Sequence, residues 1–286
     1  MTHQIHDQAP IQVVVGAATD VGLRRATNED AYLAEGAVFL VADGMGGHEA
    51  GEIASATVLS AFRLLTEQRS VSLDQLRAAF ADAVGRVHRL PEGAGAGAGT
   101  TLSGVVIAEL DQNAYWLMLN LGDSRTYRMC ADVLEQISVD HSVVQELIES
   151  GMITREQATT DVKRNIITRA IGAGSSGEPD YWYVPAEPGD RILVCSDGLT
   201  GELSDDRIRL ILAAESDPQR AATRLVHEAL LHGGRDNVTA VVVDAVAVAG
   251  VDPSENTVPV DGNDVVFDAD FDDTIPRARL TNGEEL

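Results

Sequence analysis

AVFLVADGMGG, residues Ala37 to Gly47, runs six apolar residues into an aspartate and then into glycines. Such a run reads as a buried strand, with a polar turn after it that puts the Asp43 carboxylate at the strand's carboxyl end. The layout recurs in YWLMLNLGD (Tyr115 to Asp123) and RILVCSDG (Arg191 to Gly198). Two more clusters, RATNED (Arg25 to Asp30) and GGRDN (Gly233 to Asn237), again set aspartate beside glycine or asparagine. If these ends converge, they form a pocket of hard oxygen ligands of the kind Mg²⁺ or Mn²⁺ requires.

Working outward, IQVVVGAAT, AYLAE and AVFLVADG read as strands over residues 11–45. Two helices are predicted next, Glu49 to Gln68 and Ser72 to Leu90. In the first, Ile53, Ala54, Val58, Ala61, Leu64 and Leu65 recur at helical spacing, leaving Arg63 and Glu67 for solvent. The second opens on Ser72 as N-cap with Gln75 three residues on. PEGAGAGAG (Pro91 to Gly99) reads as a loop. TLSGVVIAEL, AYWLMLNL, RTYRM and VLEQI, split by DQN and GDS, read as an antiparallel meander. Asp140 to Gly174 is polar and helical and interrupts that alternation. DYWYV and DRILVCSD resume the strands, and helices at Asp205 to Ala214 and Pro218 to Leu231 precede a last strand, NVTAVVVDAV. Strands in runs and helices in pairs predict an α+β fold of antiparallel sheets covered by helix pairs.

The chain has 286 residues, 44% of them hydrophobic, enough for a sizeable core. A net charge of −24 argues against nucleic acid and against an anionic membrane surface as partners. Cys130 and Cys195 lack metal-site spacing and sit in apolar, strand-like sequence, so they read as packing residues in a reducing cytoplasm. MTHQIHDQAP resembles no signal peptide, and no run of about 18 apolar residues suggests a membrane span. After Gly250 the composition changes: residues 251–286 hold ten Asp/Glu against two Arg, and this stretch is expected to be a disordered acidic tail. The expected organisation is therefore a flexible 1–10, a domain over 11–250 and a tail over 251–286, in a monomeric, cytoplasmic protein.

Taken alone, each site residue has a plain structural reading beside its functional one. Asp43-Gly44 and Asp197-Gly198 are also tight-turn sequences, Asp123 also suits a hairpin, and Asp236 also suits a turn cap. Together they point to metal: a carboxylate can bridge two ions, a glycine carbonyl can add a backbone ligand, and GMGG allows close approach. Arg25 offers a forked donor for a phosphate, although it also reads as a surface arginine beside Arg24. Glu29 and Asp30 stand where they could hold that arginine or a metal-bound water, or be an exposed acidic turn. His48 is a candidate proton donor or an exposed loop histidine. His141 in VDHS reads as a cap without a role in the site. The set as a whole reads as a metal-dependent phosphohydrolase.

In order and context these strings resemble the metal-dependent protein phosphatases of type 2C, in their bacterial form. The matching strings are R-x-x-N-E-D from Arg25, ADGMGGHEAGEIAS from Ala42, AGTTL from Ala98, LGDSR, D-H-S-x-V-Q-x-L from Asp140, ITRAIG from Ile167, SDGL and GGRDNVT. The resemblance spans roughly Val13 to Val246. It implies a four-layer α-β-β-α sandwich of two antiparallel sheets with a dinuclear metal site at one end. It also implies hydrolysis of phosphoserine and phosphothreonine by a hydroxide bridging two Mn²⁺ or Mg²⁺ ions, without a phosphoenzyme.

By position, Asp43 would bridge the ions, with the Gly44 carbonyl on the second and Asp197 and Asp236 on the first. Glu29 and Asp30 would act through water, Arg25 would grip the phosphate, and Asp123 would join Asp197 at a third metal. Eukaryotic members carry histidine after the Asp-Gly pair where this chain has Met45, which leaves the general acid to His48 or to water on the third metal. The 140–174 segment matches the family's flap and is expected to influence substrate choice.

The partners implied are phosphoproteins and the Ser/Thr kinases that make them. A second reading is a metal-poor module that only senses phosphoproteins; a third is a phosphatase for a regulator of an alternative sigma factor. In the tail, ENTVPV and DDTIPR suggest Thr257 or Thr274 as sites whose phosphorylation is read by a phosphothreonine-binding domain.

Overall fold

The computed structural model describes residues 9–46, 50–90, 97–158, 161–163, 166–172 and 175–249. His48, the start of the first predicted helix at Glu49, most of the Pro91–Gly99 loop and the whole 251–286 tail with Thr257 and Thr274 lie outside them. In chain order the strands are β1 (Ile11–Asp20), β2 (Asp30–Glu35), β3 (Val38–Met45), β4 (Gly99–Thr100), β5 (Leu102–Leu110), β6 (Asn113–Leu121), β7 (Arg125–Cys130), β8 (Val133–Gln136), β9 (Ile171–Gly172), β10 (Ser175–Ser176), β11 (Asp180–Pro185), β12 (Arg191–Cys195) and β13 (Val238–Val248). The helices are α1 (Ala50–Phe62), α2 (Leu73–His88), α3 (Val143–Glu149), α4 (Arg155–Ala158), α5 (Asp197–Thr200), α6 (Asp205–Ala214) and α7 (Pro218–His232).

The strands form two antiparallel sheets, one ordered β1-β13-β12-β7-β8 and the other β10-β9-β4-β3-β5-β6-β11, with β2 also paired to β3. Strand alternation shows how they stack. In β12, Ile192 and Val194 join the core between the sheets, whereas Leu193 and Cys195 join a second core beneath α6 and α7. β13 divides the same way, with Val241 and Val243 inward and Val238, Ala240 and Val242 toward the helices. A strand buried on both faces carries an unbroken apolar run, which is why VTAVVV shows no polar alternation. α1 and α2 cover the outer face of the larger sheet, completing a four-layer α-β-β-α sandwich. No helix among the described residues is long and apolar enough to cross a membrane.

Local chemistry fixes the helix ends. Ser72 and Gln75 form a reciprocal capping box on α2; Ser204 caps α6, and Asp217 caps α7 ahead of Pro218 at its first turn. The first predicted helix is shorter than its pattern suggests. α1 stops at Phe62 and tightens into a 3-10 turn over Arg63–Glu67. The tighter winding shifts the buried face, so Leu65 is covered while Leu64 is 75% exposed.

The meander also differs from its sequence reading. β5 and β6 form a hairpin whose turn residues Asp111 and Gln112 both have positive φ, but β7 and β8 belong to the other sheet. The chain changes sheets between Leu121 and Arg125, so Asp123 lies on a crossing rather than in a hairpin turn. Gly122 makes the crossing possible. Its φ is +106°, and a Cβ there would stand 2.5 Å from Thr101 Cγ2.

Away from that crossing, a buried arginine ties the small sheet to α6. Arg191 makes a forked pair with Asp244, Nε and Nη2 each 2.6 Å from a carboxylate oxygen, and also donates to the carbonyls of Leu212, Glu215 and Ser216. Arg191→Met should therefore cost about 3–5 kcal/mol in urea unfolding, because it strands a carboxylate and the end of a helix together. A loss below about 1 kcal/mol would mean that these contacts add nothing net.

Candidate active site

β2 runs antiparallel to β3 in a register that sets Asp30 opposite Asp43. Like charges opposed across a strand pair are unfavourable, so this pairing has to be offset by something other than stability of the ladder. Asp43 lies within β3, not at its end, because Gly44 and Met45 continue the ladder against Thr100 and Gly99. Its backbone is gripped from the other side by the AGTTL string. Asp43 N donates to Thr101 Oγ1 at 3.0 Å, while Asp43 O accepts from Thr101 N at 2.9 Å and Thr100 Oγ1 at 2.9 Å. Thr101 Oγ1 stands 2.8 Å from Ser124 Oγ, linking Asp43 to the crossing that carries Asp123.

Asp30 is held at one oxygen only. Its Oδ2 accepts from Ser196 Oγ and from Thr239 Oγ1, both at 2.7 Å, while its Oδ1 is buried without a hydrogen-bond partner. Thr239 in turn meets Thr19 at 2.8 Å, so β1, β13 and the residue just past β12 together brace one carboxylate. Glu29 is similar: its backbone donates to Asn237 Oδ1 at 2.8 Å and accepts from Ser55 Oγ at 2.7 Å, yet Oε1 is buried and unpartnered.

Glycines clear the surrounding space. A Cβ on Gly44 would stand 2.3 Å from Gly51 O, and one on Gly51 would stand 2.6 Å from Glu29 Oε1. One on Gly198 would stand 1.9 Å from Asn237 O. These approaches seat β3 against the start of α1, and the start of α5 against the Asp236–Asn237 turn.

Asp197 opens α5 one residue past Ser196, because β12 ends at Cys195. The shared strand-to-aspartate layout therefore splits into three: Asp43 inside a strand, Asp123 on a crossing and Asp197 on a helix. All remain half-buried. Asp236 caps its own turn through Asn237 N at 2.9 Å and takes Arg25 Nη2 on Oδ2 at 2.6 Å. That ion pair is open to water, with about half of the Arg25 side chain exposed (49%).

The carboxylates sense one another. Burial, followed by the charges of Asp197 and Asp236, pushes the Asp30 carboxyl up to about 7 against the pull of its two hydroxyl donors. Burial and the neighbouring Asp30, Asp197, Asp123 and Asp236 hold Asp43 well above the usual carboxylate range. Asp123 is raised by burial, Asp197 and Asp140, and Asp197 by burial and Asp236, partly offset by a hydrogen bond with Asp43.

A cluster of hard oxygens that repel each other, two of them buried and unpaired, fits a divalent cation. Among the described residues no three carboxylate, histidine or cysteine side chains are grouped so that they could hold an ion by themselves. An open set suits Mg²⁺ or Mn²⁺, which keep several waters and share their coordination with substrate phosphate.

Sequence reasoning passed over the supports: Thr19, Ser55, Thr100, Thr101, Ser124, Ser196, Thr239 and Asn237. Most sit inside the quoted strings, but a hydroxyl's partner two hundred residues away leaves no local signal. His141, read as a cap, is buried against the Asp123 crossing.

The family model for protein phosphatase 2C matches residues 24–229 of the chain. The serine/threonine protein phosphatase PstP of Mycobacterium tuberculosis is 40% identical over 238 residues, 80% of this chain and 44% of that protein. The chain thus spans less than half the length of that curated relative. Protein phosphatase PhpP of Streptococcus pneumoniae is 34% identical over 241 residues, 80% of this chain and 96% of that protein. A crystal structure of the catalytic domain of PstP with two manganese ions superposes with a TM-score of 0.74 at 36% identity, covering 82% of this chain and 99% of that one. On its sequence, its fold and the setting of its carboxylates, the chain belongs to the protein phosphatase 2C family.

Proposed function

We propose that this chain is a metal-dependent protein serine/threonine phosphatase that removes phosphate from phosphoserine and phosphothreonine and so reverses Ser/Thr kinases. The observation that carries the reading is the convergence of Asp30, Asp43, Asp123, Asp197 and Asp236, where burial and neighbouring carboxylates raise the first four, beside the buried, unpartnered oxygens of Asp30 and Glu29. Relatives named as such phosphatases support it, as does the manganese-bound PstP domain.

In this reading Asp43, the Gly44 carbonyl, Asp197 and Asp236 would hold two Mn²⁺ or Mg²⁺ ions. Glu29 and Asp30 would act on them through water, and Asp123 with Asp197 would hold a third ion. Bound there, the ions supply Lewis acidity toward phosphoryl oxygen and lower the pKa of water. The protein supplies position. Thr100 and Thr101 fix the Asp43 backbone, and Ser196 with Thr239 holds Asp30 by Oδ2, leaving Oδ1 buried and free of protein partners. Arg25, aimed by Asp236, offers the rest of its fork to the substrate's phosphoryl oxygens. Without cations this acidic pocket repels a phosphate dianion, so substrate binding itself depends on metal.

The wider assignment rests on the same reading. The 11–250 segment is the phosphatase domain, acting as a cytoplasmic monomer, with the 140–174 flap biasing substrate choice from beside the site. Thr257 or Thr274 in the 251–286 tail is a phosphorylation site read by a phosphothreonine-binding domain; mass spectrometry from kinase-active cells showing both unmodified would count against that part.

The test is phosphate release from a phosphothreonine peptide with Mn²⁺, with EDTA and with Asp236→Ala. Turnover that vanishes in EDTA and falls at least about a hundredfold in the variant is the expected result. No turnover in folded, Mn²⁺-loaded protein would favour a module that only binds phosphoproteins.

A further inference from the structure

His141 is buried at the point where three parts of the molecule meet. Its Nδ1 accepts from Gly122 N at 3.2 Å, and its own backbone N–H donates to Gly122 O at 2.8 Å. Gly122 is the sheet-crossing glycine directly before Asp123. The backbone N–H of Gly122 can only donate, so Nδ1 bears the lone pair and Nε2 the proton. Nε2 then donates to Asp180 Oδ2 at 3.2 Å, at the start of β11. Arg169 Nη1 approaches that nitrogen to 3.4 Å and Asp180 Oδ1 to 3.6 Å; beside a protonated Nε2 the first approach is a contact, and the second places its charge near Asp180.

The same residue closes the base of the 140–174 segment. His141 O accepts from Thr168 N at 2.8 Å, Ser142 bridges Ile167, and Val143 N donates to Ile166 O at 2.9 Å. Asn120, which pairs with Asp180 across β6 and β11, donates to Val139 O at 2.9 Å. The His141 imidazole thus joins β11 to the turn that carries Asp123, while its backbone helps to join the segment's two stems.

We propose that His141 is a positioning residue for the Asp123 carboxylate, locking the sheet-crossing turn to the stems of the flap so that the two move as one unit. The proposal rests on the reading of Asp123 as a site carboxylate. Nothing in it requires His141 to touch substrate or metal. Its lever is the Gly122 peptide: releasing that N–H lets a glycine of φ +106° rotate and swing the next side chain away. A change at the flap's base would reach Asp123 by the same route.

Two substitutions separate the imidazole's halves. His141→Asn keeps an acceptor where Nδ1 stands, and His141→Gln keeps a donor for Asp180 but loses the acceptor for Gly122. Leu121-Gly122 is the only Leu-Gly pair in the sequence. Carbonyl-¹³C leucine with ¹⁵N glycine therefore gives one amide signal that reports this bond in the full-length, EDTA-treated protein. Calorimetric Mn²⁺ titration then gives affinity without turnover, with Asp123→Asn as the reference.

His141→Gln should shift the Gly122 amide upfield, speed its exchange and weaken the Asp123-dependent Mn²⁺ binding about tenfold, the scale of lost outer support at metal sites. His141→Asn should recover most of both. An unchanged Gly122 signal in His141→Gln overturns the proposal. So does unchanged Mn²⁺ binding in that variant when Asp123→Asn weakens it. If Asp123→Asn leaves Mn²⁺ binding untouched, the reading of Asp123 is what fails, and the Gly122 signal alone decides whether His141 sets the turn. Should His141→Gln not fold, His141→Ser removes the same acceptor with room for water and is held to the same outcomes.

Discussion

Asp43→Asn should lower Mn²⁺-dependent phosphate release from a phosphothreonine peptide by roughly a thousandfold, about 4 kcal/mol of transition-state stabilisation. The backbone of Asp43 is fixed on both edges, by β2 on one side and by Thr100 and Thr101 on the other, so the amide will occupy the place of the carboxylate. What changes is charge. Asp43 is the residue whose carboxyl is raised by four other carboxylates at once, and it is the one proposed to serve both ions. The variant should fold at least as well as the wild type in EDTA, since it loses a repelled charge. A drop smaller than about tenfold, in protein shown to be folded, would remove Asp43 from the centre of the mechanism.

The second large effect is on stability in the absence of metal. Asp30 has a folded-state pKa of about 7, while an unfolded aspartate titrates near ~3.9. Its folded pKa is raised, so the folded state binds the proton more tightly than the unfolded one. Its contribution is fully present below about pH 4 and is lost as the pH rises toward about 7. At pH 8 the metal-free protein should be about 2–4 kcal/mol less stable than the protonated state would be, from this group alone.

Asp30→Asn keeps an oxygen for Ser196 and Thr239 and removes the charge. In EDTA at pH 8 it should raise the midpoint of thermal unfolding by roughly 5–10 °C, with little effect at pH 4. Saturating Mn²⁺ should narrow the difference by stabilising the wild type, because ions that bind only the folded state shift the equilibrium toward it. Equal midpoints for wild type and variant in EDTA at pH 8 would mean that Asp30 is not strained by its neighbours.

The two variants read different halves of one design. The fold confines carboxylates that oppose each other, and on the proposed reading ions that relieve the opposition also prepare the site for phosphate. This is why the charge that makes the pocket costly in EDTA is the charge that makes it useful with Mn²⁺.

How much of this could be read locally varies from residue to residue. The α2 capping box was legible because Ser72 and Gln75 are three residues apart and the bond is made within one turn. The end of α1 was not, because the apolar spacing continues through Leu64 and Leu65 and only packing against the sheet decides which of them is covered. The four-strand meander was misread for a similar reason. Hairpins and sheet crossings leave the same string of short strands and turns, and only Gly122, closed in by Thr101, marks the change. His141 was invisible as a support since both groups it links, Gly122 N–H and Asp180, lie far from it along the chain.

By itself, the sequence determined the inventory. Apolar runs set the strands, amphipathic spacing and caps set most helices, and the aspartate-bearing strings set which carboxylates had to meet and what kind of ion they suit. These are properties of periodicity and ligand chemistry, which act over a few residues. Only the tertiary structure decided the geometry. It set Asp30 against Asp43 by strand register, left one oxygen of Asp30 and one of Glu29 without partners, and braced Asp30 with hydroxyls from Ser196 and Thr239. Register, burial and electrostatic strain are relations between segments brought together by packing, and no single segment contains them.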